Sequence, residues 1–180
     1  MLFIDAAQEK ADFNNKGVTS IAFRNVDKAR LTKLYLRNNQ LTSLPSAIGN
    51  LTALSVLHLF NNQLTSLPAE IGSLTSLTML SLHSNQLTSL PKEIGNLTAL
   101  TFLHLFNNQL AAVPSEMGNL TSLVYLHLSH NQLTSLPTEM ENLTGLKVLS
   151  LSHNPLTISN TASAKECKIS APVMISKDTA

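Results

Sequence analysis

Leucine sets the hydrophobic pattern of this chain. From residue 31 to residue 154 the frame Leu-x-x-Leu-x-Leu-x-x-Asn returns with a period of 23 residues, in six registered copies whose asparagines are Asn39, Asn62, Asn85, Asn108, Asn131 and Asn154. Within a copy, alternation such as Leu57-His58-Leu59 or Leu103-His104-Leu105 predicts a short half-buried strand, with Leu pointing inward and the middle residue outward. Leu54, Leu57, Leu59, Leu64 and Leu67 then fill one layer. A single layer cannot cover its own apolar face, so copies must stack, and stability grows with their number. The Asn column is expected to turn its amides inward, bonding backbone groups where the chain leaves each strand.

Other columns keep the same step: Pro45, Pro68, Pro91, Pro114 and Pro137; Gly49, Gly72, Gly95 and Gly118; Glu70, Glu93, Glu116 and Glu139. The unit reads roughly LTxLxxLxLxxNQLTSLPxEIGN. It resembles the leucine-rich repeat family, in the 23-residue form found in the intracellular Ras-associated group and in related bacterial and protist proteins. The resemblance spans about two-thirds of the chain. It implies an α/β fold, a right-handed solenoid with a parallel β-sheet on its concave side and turns or short 3₁₀ segments on its convex side. It also implies a noncatalytic, cytoplasmic, protein-binding scaffold. The Glu column then reads as a solvated convex stripe.

The ends depart from the period. Residues 1–30 read as an N-terminal cap that keeps the first Leu layer dry, residues 31–154 as the six repeats, and residues 155–180 as a C-terminal partial cap or tail. Within the first segment, residues 4–13 suggest a short helix with Ile4, Ala7 and Ala11 on one face, followed by a turn at Asn14-Asn15-Lys16-Gly17. Val18-x-x-Ile21-x-Phe23 imitates a repeat strand but lies 13 residues before Leu31, Leu34 and Leu36, less than one turn of the solenoid. Near the other end, Ala171-Pro172-Val173-Met174-Ile175 either folds over the last layer or belongs to a linker.

Composition narrows the chemistry. A net charge of +1 and 13% charged residues give no electrostatic case for nucleic acid or for an anionic membrane. The single Cys167 forms no internal disulfide. The opening Met1-Leu2-Phe3-Ile4 is cut short by Asp5, and no stretch approaches the ~18 apolar residues of a membrane helix, so neither a signal peptide nor membrane insertion is expected. Four Asn-Leu-Thr sequons, at Asn50, Asn96, Asn119 and Asn142, belong to the repeat consensus.

The variable positions carry the functional signal. Before the second Leu of each frame the column reads Lys33, Val56, Met79, Phe102, Tyr125, Val148; between the paired Leu residues it reads Tyr35, His58, Ser81, His104, His127, Ser150. The next outward columns are Arg37, Phe60, His83, Phe106, Ser129, Ser152 and Asn38, Asn61, Ser84, Asn107, His130, His153. All six histidines and both tyrosines fall here, although aromatics make up only 4% of the chain. Such a concentration on an outward face marks an interaction site. The candidate ligand-binding residues are Tyr35, Val56, His58, Phe60, Met79, His83, Phe102, His104, Phe106, Tyr125, His127 and His130, recognising a protein or peptide. The competing reading is that Phe60 and Phe106 merely pack along the strand ladder.

Sharper chemistry finds less support. His104 and His127 share a column on adjacent strands, but no carboxylate or thiolate accompanies them, so no metal and no cofactor is expected. Ser129 or Ser150 near a histidine lacks the acidic group that would orient a base, and no GxSxG, P-loop, GxGxxG or HExxH motif occurs, so no enzyme activity is expected. Titration of the histidines near the ordinary value of ~6.5 predicts weaker binding of an apolar partner below about pH 6. The alternative function is an extracellular recognition or adhesion module, or a fragment of a receptor or effector, secreted or at the cell surface.

Overall fold

The structure is a computed structural model that describes residues 1–4, 9–24, 30–156 and, as backbone, 174–176. Its strands are β1 (Leu2–Ile4), β2 (Lys10–Asp12), β3 (Ile21–Phe23), β4 (Lys33–Tyr35), β5 (Val56–His58), β6 (Met79–Ser81), β7 (Phe102–His104), β8 (Tyr125–His127), β9 (Val148–Ser150) and β10 (Met174–Ser176). Five 3₁₀ helices lie between them: η1 (Ser46–Asn50), η2 (Ala69–Ser73), η3 (Lys92–Asn96), η4 (Ser115–Asn119) and η5 (Thr138–Asn142). Strands β2 and β4 to β10 form one parallel sheet in chain order. From β4 to β9 each residue pairs with the one 23 positions on, as in Leu34↔Leu57↔Leu80↔Leu103. The sequence period is therefore the sheet register.

Each strand is three residues long because the layer turns away as soon as its leucines are placed. The central Leu of every strand from β4 to β8 is fully buried, and so are Leu54, Leu59, Leu64 and their equivalents. The core also takes Ile48, Ile71, Ile94, Met117 and Met140, one from each 3₁₀ helix. Each 3₁₀ helix starts behind a proline held at φ between −66 and −70°, whose carbonyl accepts the first helical N–H. The glycine column has a steric cause. A Cβ on Gly95 would lie 2.3 Å from the backbone oxygen of Glu116, and Gly49, Gly72 and Gly118 meet the next Glu in the same way.

The Asn column performs the bonding its position suggested. Asn85 Oδ1 accepts the N–H of Leu64 at 3.0 Å, and its Nδ2 donates to the carbonyls of Leu59 at 3.0 Å and Leu82 at 2.9 Å. One amide thus ties three backbone groups in two layers, and the set repeats at Asn62, Asn108, Asn131 and Asn154.

The N-terminal segment differs from the expected helix over residues 4–13. Leu2–Ile4 and Lys10–Asp12 are strands, and residues 5–8 lie outside the described set. Tertiary pairing decides this: β2 joins the main sheet with Ala11 opposite Leu34, again 23 residues apart, which satisfies backbone groups that a lone short helix would leave to water. Val18 and Ile21 are buried and stand 23 residues before Leu41 and Leu44. The stretch that imitated a repeat strand is thus a half-copy further along the layer, and its Ile21–Phe23 pairs with β1 in a separate two-stranded sheet. The turn at Asn14 to Gly17 is present, with Asn15 and Gly17 at φ 57° and 64°. At the far end β10 pairs with β9, so Met174 and Ile175 add a strand to the sheet, while residues 171–173 lie outside the described set.

Candidate functional site

Side chains that alternate with the buried leucines come out on the open face of the sheet, and parallel pairing at ~4.8 Å brings equivalent positions of neighbouring strands into contact. Phe60, His83 and Phe106, contributed by three successive repeats just after β5, β6 and β7, form a stack: His83 lies 4.3 Å from each Phe ring, at interplanar angles of 14° and 10°. Around it, Tyr35 meets His58 edge-on at 5.0 Å, Phe106 meets His127 at 4.5 Å and His104 meets Tyr125 at 5.1 Å. Phe102 completes the group 6.4 Å from Tyr125. Met79 joins through its sulfur, 3.4 Å from His58 Nε2, and Val56 sits beside it on β5, opposite Met79 in the register. Eleven of the twelve residues predicted for the site therefore form one continuous patch across β4 to β8.

His130 is the exception. It occupies a bend at φ 54° and stacks on His153 at 3.9 Å, apart from the Phe stack. Its whole column, Asn38, Asn61, Ser84, Asn107, His130 and His153, has φ between 53 and 55°. That left-handed conformation, which Asn tolerates best among residues with a side chain, explains why the column is mostly Asn. The conformation of the column is thus a backbone requirement of the bend.

The rings are also less open than their outward positions suggested. Tyr35, Phe60, Phe106 and Tyr125 are half-buried by their neighbours, and Phe102 alone among the five is exposed, at 39%. Phe60 and Phe106 do pack along the strand ladder, each with a ring face against His83, while their edges border the patch. Burial lowers the pKa of His58, His83, His104 and His127, with a further push from neighbouring charge: Arg37 on His58, His58 on His104, and His104 and His130 on His127. His83 falls furthest, to about 4, by burial first and then by His104, His127 and His58. Its Nδ1 is buried with no hydrogen-bond partner. At neutral pH the centre of the face is uncharged, and all four histidines take up a proton less readily than an ordinary imidazole.

One end of the face was not legible in the repeat frames. Because β2 belongs to the sheet, Lys10 and Asp12 extend the outward columns past Lys33 and Tyr35. Lys10 lies over the Tyr35 ring at 4.9 Å and pairs with Asp12 at 3.6 Å, while the Arg37 guanidinium lies 5.7 Å from the centre of Phe60. The missed signal was the 23-residue offset from Ala11 to Leu34, obscured because Ala replaces Leu. Deeper at the other end, the hydroxyl of Ser129 shares hydrogen bonds with those of Ser150 and Ser152, each at 2.9 Å. Among the described residues no group of three or more His, Cys, Asp or Glu side chains is placed to hold a metal ion. Nor does any helix among them have the length and apolarity to cross a membrane.

Layers that repeat at one register, each giving a strand to a parallel sheet and a 3₁₀ turn to the opposite side, define the class: an α/β solenoid presenting one broad sheet face. The family model described as "Leucine-rich repeat region" matches residues 72–168, and "Leucine Rich repeats (2 copies)" matches residues 29–71. The chain belongs to the leucine-rich repeat family. Among solved structures it is similar to a leucine-rich repeat protein of Leptospira interrogans, at 29% identity over 91% of this chain and 59% of the other, with a TM-score of 0.45. The chain thus spans less than two thirds of that protein's length. No curated protein matches it. Leucine-rich repeat domains generally mediate protein–protein interaction.

Proposed function

We propose that this chain is a noncatalytic module that binds a protein or peptide across the aromatic and histidine-rich face of its sheet. The observation that carries the reading is the continuity of the patch from Tyr35 to His127, built from residues that the Leu core does not need. A leucine-rich scaffold can be assembled with serine at the same outward columns, as at Ser81, Ser129 and Ser150. Aromatic rings at the remaining positions supply rigid contact area at small entropic cost, and the exposed Phe102 is the natural anchor. The serine hydroxyls bond one another and have no acid to orient a base among the partners they show, which fits a binding surface better than a nucleophilic site.

The test is affinity capture with the wild-type chain beside a variant carrying F60A, F102A, F106A and Y125A, its fold checked by circular dichroism. A specific partner retained by the wild type and lost by the variant supports the reading. Equal capture by both removes it. A second reading, extracellular recognition, is favoured by one observation: Asn50, Asn96, Asn119 and Asn142 of the four sequons are all exposed. Glycosidase treatment of the native protein distinguishes the two readings, since a mass decrease places the chain in a secretory route and an unchanged mass favours the cytoplasm.

A further inference from the structure

The Phe60–His83–Phe106 stack stands with its ring faces turned to one another, so what it offers a partner is ring edges. Aromatic edges carry the positive part of the ring quadrupole. His83 adds to this. An N–H at its buried, unpartnered Nδ1 would be stranded, so the proton of the neutral ring belongs on Nε2, and the imidazole acts as a donor. The centre of the face is therefore apolar, uncharged and weakly electropositive.

Full charges gather at one end. Lys10, Lys33 and Arg37 are there, against Asp12, which is engaged by Lys10; nearby Glu9 turns to the hydroxyl of Thr32 at 3.4 Å. Among the described residues Lys10–Asp12 is the one ion pair, so the exposed Arg37 has no carboxylate partner. A recess of ≈ 200 Å³ opens beside it, lined by Lys10, Asp12, Asn14, Tyr35, Arg37 and His58. The face thus combines positive ring edges, an imidazole donor and an unpaired guanidinium, and from β5 to β8 its outward columns hold no Asp, Glu, Lys or Arg. Its complement is a segment with negative charge at one end and apolar or aromatic surface beyond it.

We propose that the occupant of this face is an extended acidic peptide that places a carboxylate at Arg37 and a large apolar side chain on Phe102, rings Phe60 and Phe106 bordering the path between them. This rests on the sheet-face reading above. Three strand spacings separate the strands of Arg37 and Phe102, about 14 Å at ~4.8 Å each. Arg37 lies four residues further along than Lys33, the register equivalent of Phe102, which adds about 13 Å along the strands and makes the diagonal about 19 Å. An extended chain advances ~3.3 to 3.6 Å per residue. The acidic and apolar residues therefore stand about five to six positions apart.

Selection of displayed random dodecapeptides on the wild-type chain tests this, with the F60A/F102A/F106A/Y125A variant as counter-selection. The expected outcome is enrichment of Asp or Glu about five to six positions from Phe, Tyr, Trp or Leu. A synthetic peptide of that kind should bind R37E about tenfold or more weakly than wild type, and changing its acid to Lys should restore binding to R37E. Peptides that need the aromatic face but ignore R37E, or that are basic, overturn the acidic occupant and leave sheet-face recognition standing. Peptides that bind the quadruple variant equally well overturn both. Failure to enrich any peptide overturns the proposal, and so does a dimer in analytical ultracentrifugation that F102A dissociates, because a second copy would then be the occupant.

Discussion

At the scale of single residues, the inward amides and the sandwiched imidazole make opposite contributions. Asn85 satisfies the Leu64 N–H and two carbonyls in adjacent layers, groups that the short strands leave without ladder partners. N85A orphans the Leu64 N–H while the two carbonyls keep their bonds from Asn62 and Asn108, so it should cost ~1 to 3 kcal/mol, read as a lower urea midpoint. N85D keeps an acceptor for Leu64 but loses both donors, so it should recover only part of the loss. If N85A matches the wild-type midpoint, the column has no structural role. His83 instead sets a pH dependence. Its folded pKa, about 4, lies below the unfolded value of ~6.5, so the unfolded chain binds more protons in that window. Its contribution to stability is complete above pH 6.5 and is lost as pH falls toward 4. His58, His104 and His127 act in the same direction. H83F extends the ring stack without a titrating group, and the drop in melting temperature from pH 7.5 to 4.5 should shrink by a few degrees relative to wild type. An undiminished drop would show that the sandwich does not control it.

At the scale of the element, the 3₁₀ helices are stacked so closely that one side-chain carbon is too many. G95A would push a Cβ into the Glu116 carbonyl and should cost ~1 to 3 kcal/mol, whereas at Gly145 the nearest backbone atom lies at 3.4 Å and G145A should be nearly neutral. Parallel urea titrations of the two variants decide this, and equal midpoints would contradict the steric account. The same rule marks where the 3₁₀ stack ends: the column reads Gly49, Gly72, Gly95, Gly118 and then Glu141, in η5, the last 3₁₀ helix among the described residues. A glutamate is admissible there because no further turn packs against that position among them. The strands obey a different economy, since their leucines are interlocked from both sides. L103A should lower stability by ~2 to 5 kcal/mol.

At the scale of the whole molecule, identical register makes the layers interchangeable. Deleting residues 74–96 joins Ser73 to Leu97 in phase, removing one strand and one 3₁₀ helix without breaking the Leu, Asn or Gly columns. The shortened chain should still unfold cooperatively, with a lower urea midpoint and a smaller denaturant slope in proportion to the lost surface. Loss of cooperative unfolding would mean that the layers are not equivalent. The deletion also takes out His83 and brings Phe60 next to Phe106, so the pH dependence should weaken in parallel.

What the amino-acid order determines by itself is whatever depends on the period: the fold family, the direction of each Leu, the inward Asn and the membership of the outward columns. These are local consequences of a 23-residue register, repeated until the packing partner of every position is an equivalent position in the next copy. Tertiary structure decided the rest. Residues 2–4 and 10–12 became strands because sheet edges supplied backbone partners, and for the part of them within residues 4–13 this overrode a local pattern that suggested a helix. Placing β2 in the sheet put Lys10 and Asp12 beside Tyr35, which no column beginning at residue 31 contains. The stack of Phe60, His83 and Phe106 was written as a column, but its ring planes, the burial of their faces and the depressed imidazole pKa follow from side-chain rotation and mutual desolvation across strands. Periodicity specifies neighbours; only three-dimensional packing specifies which edge of each neighbour faces the solvent.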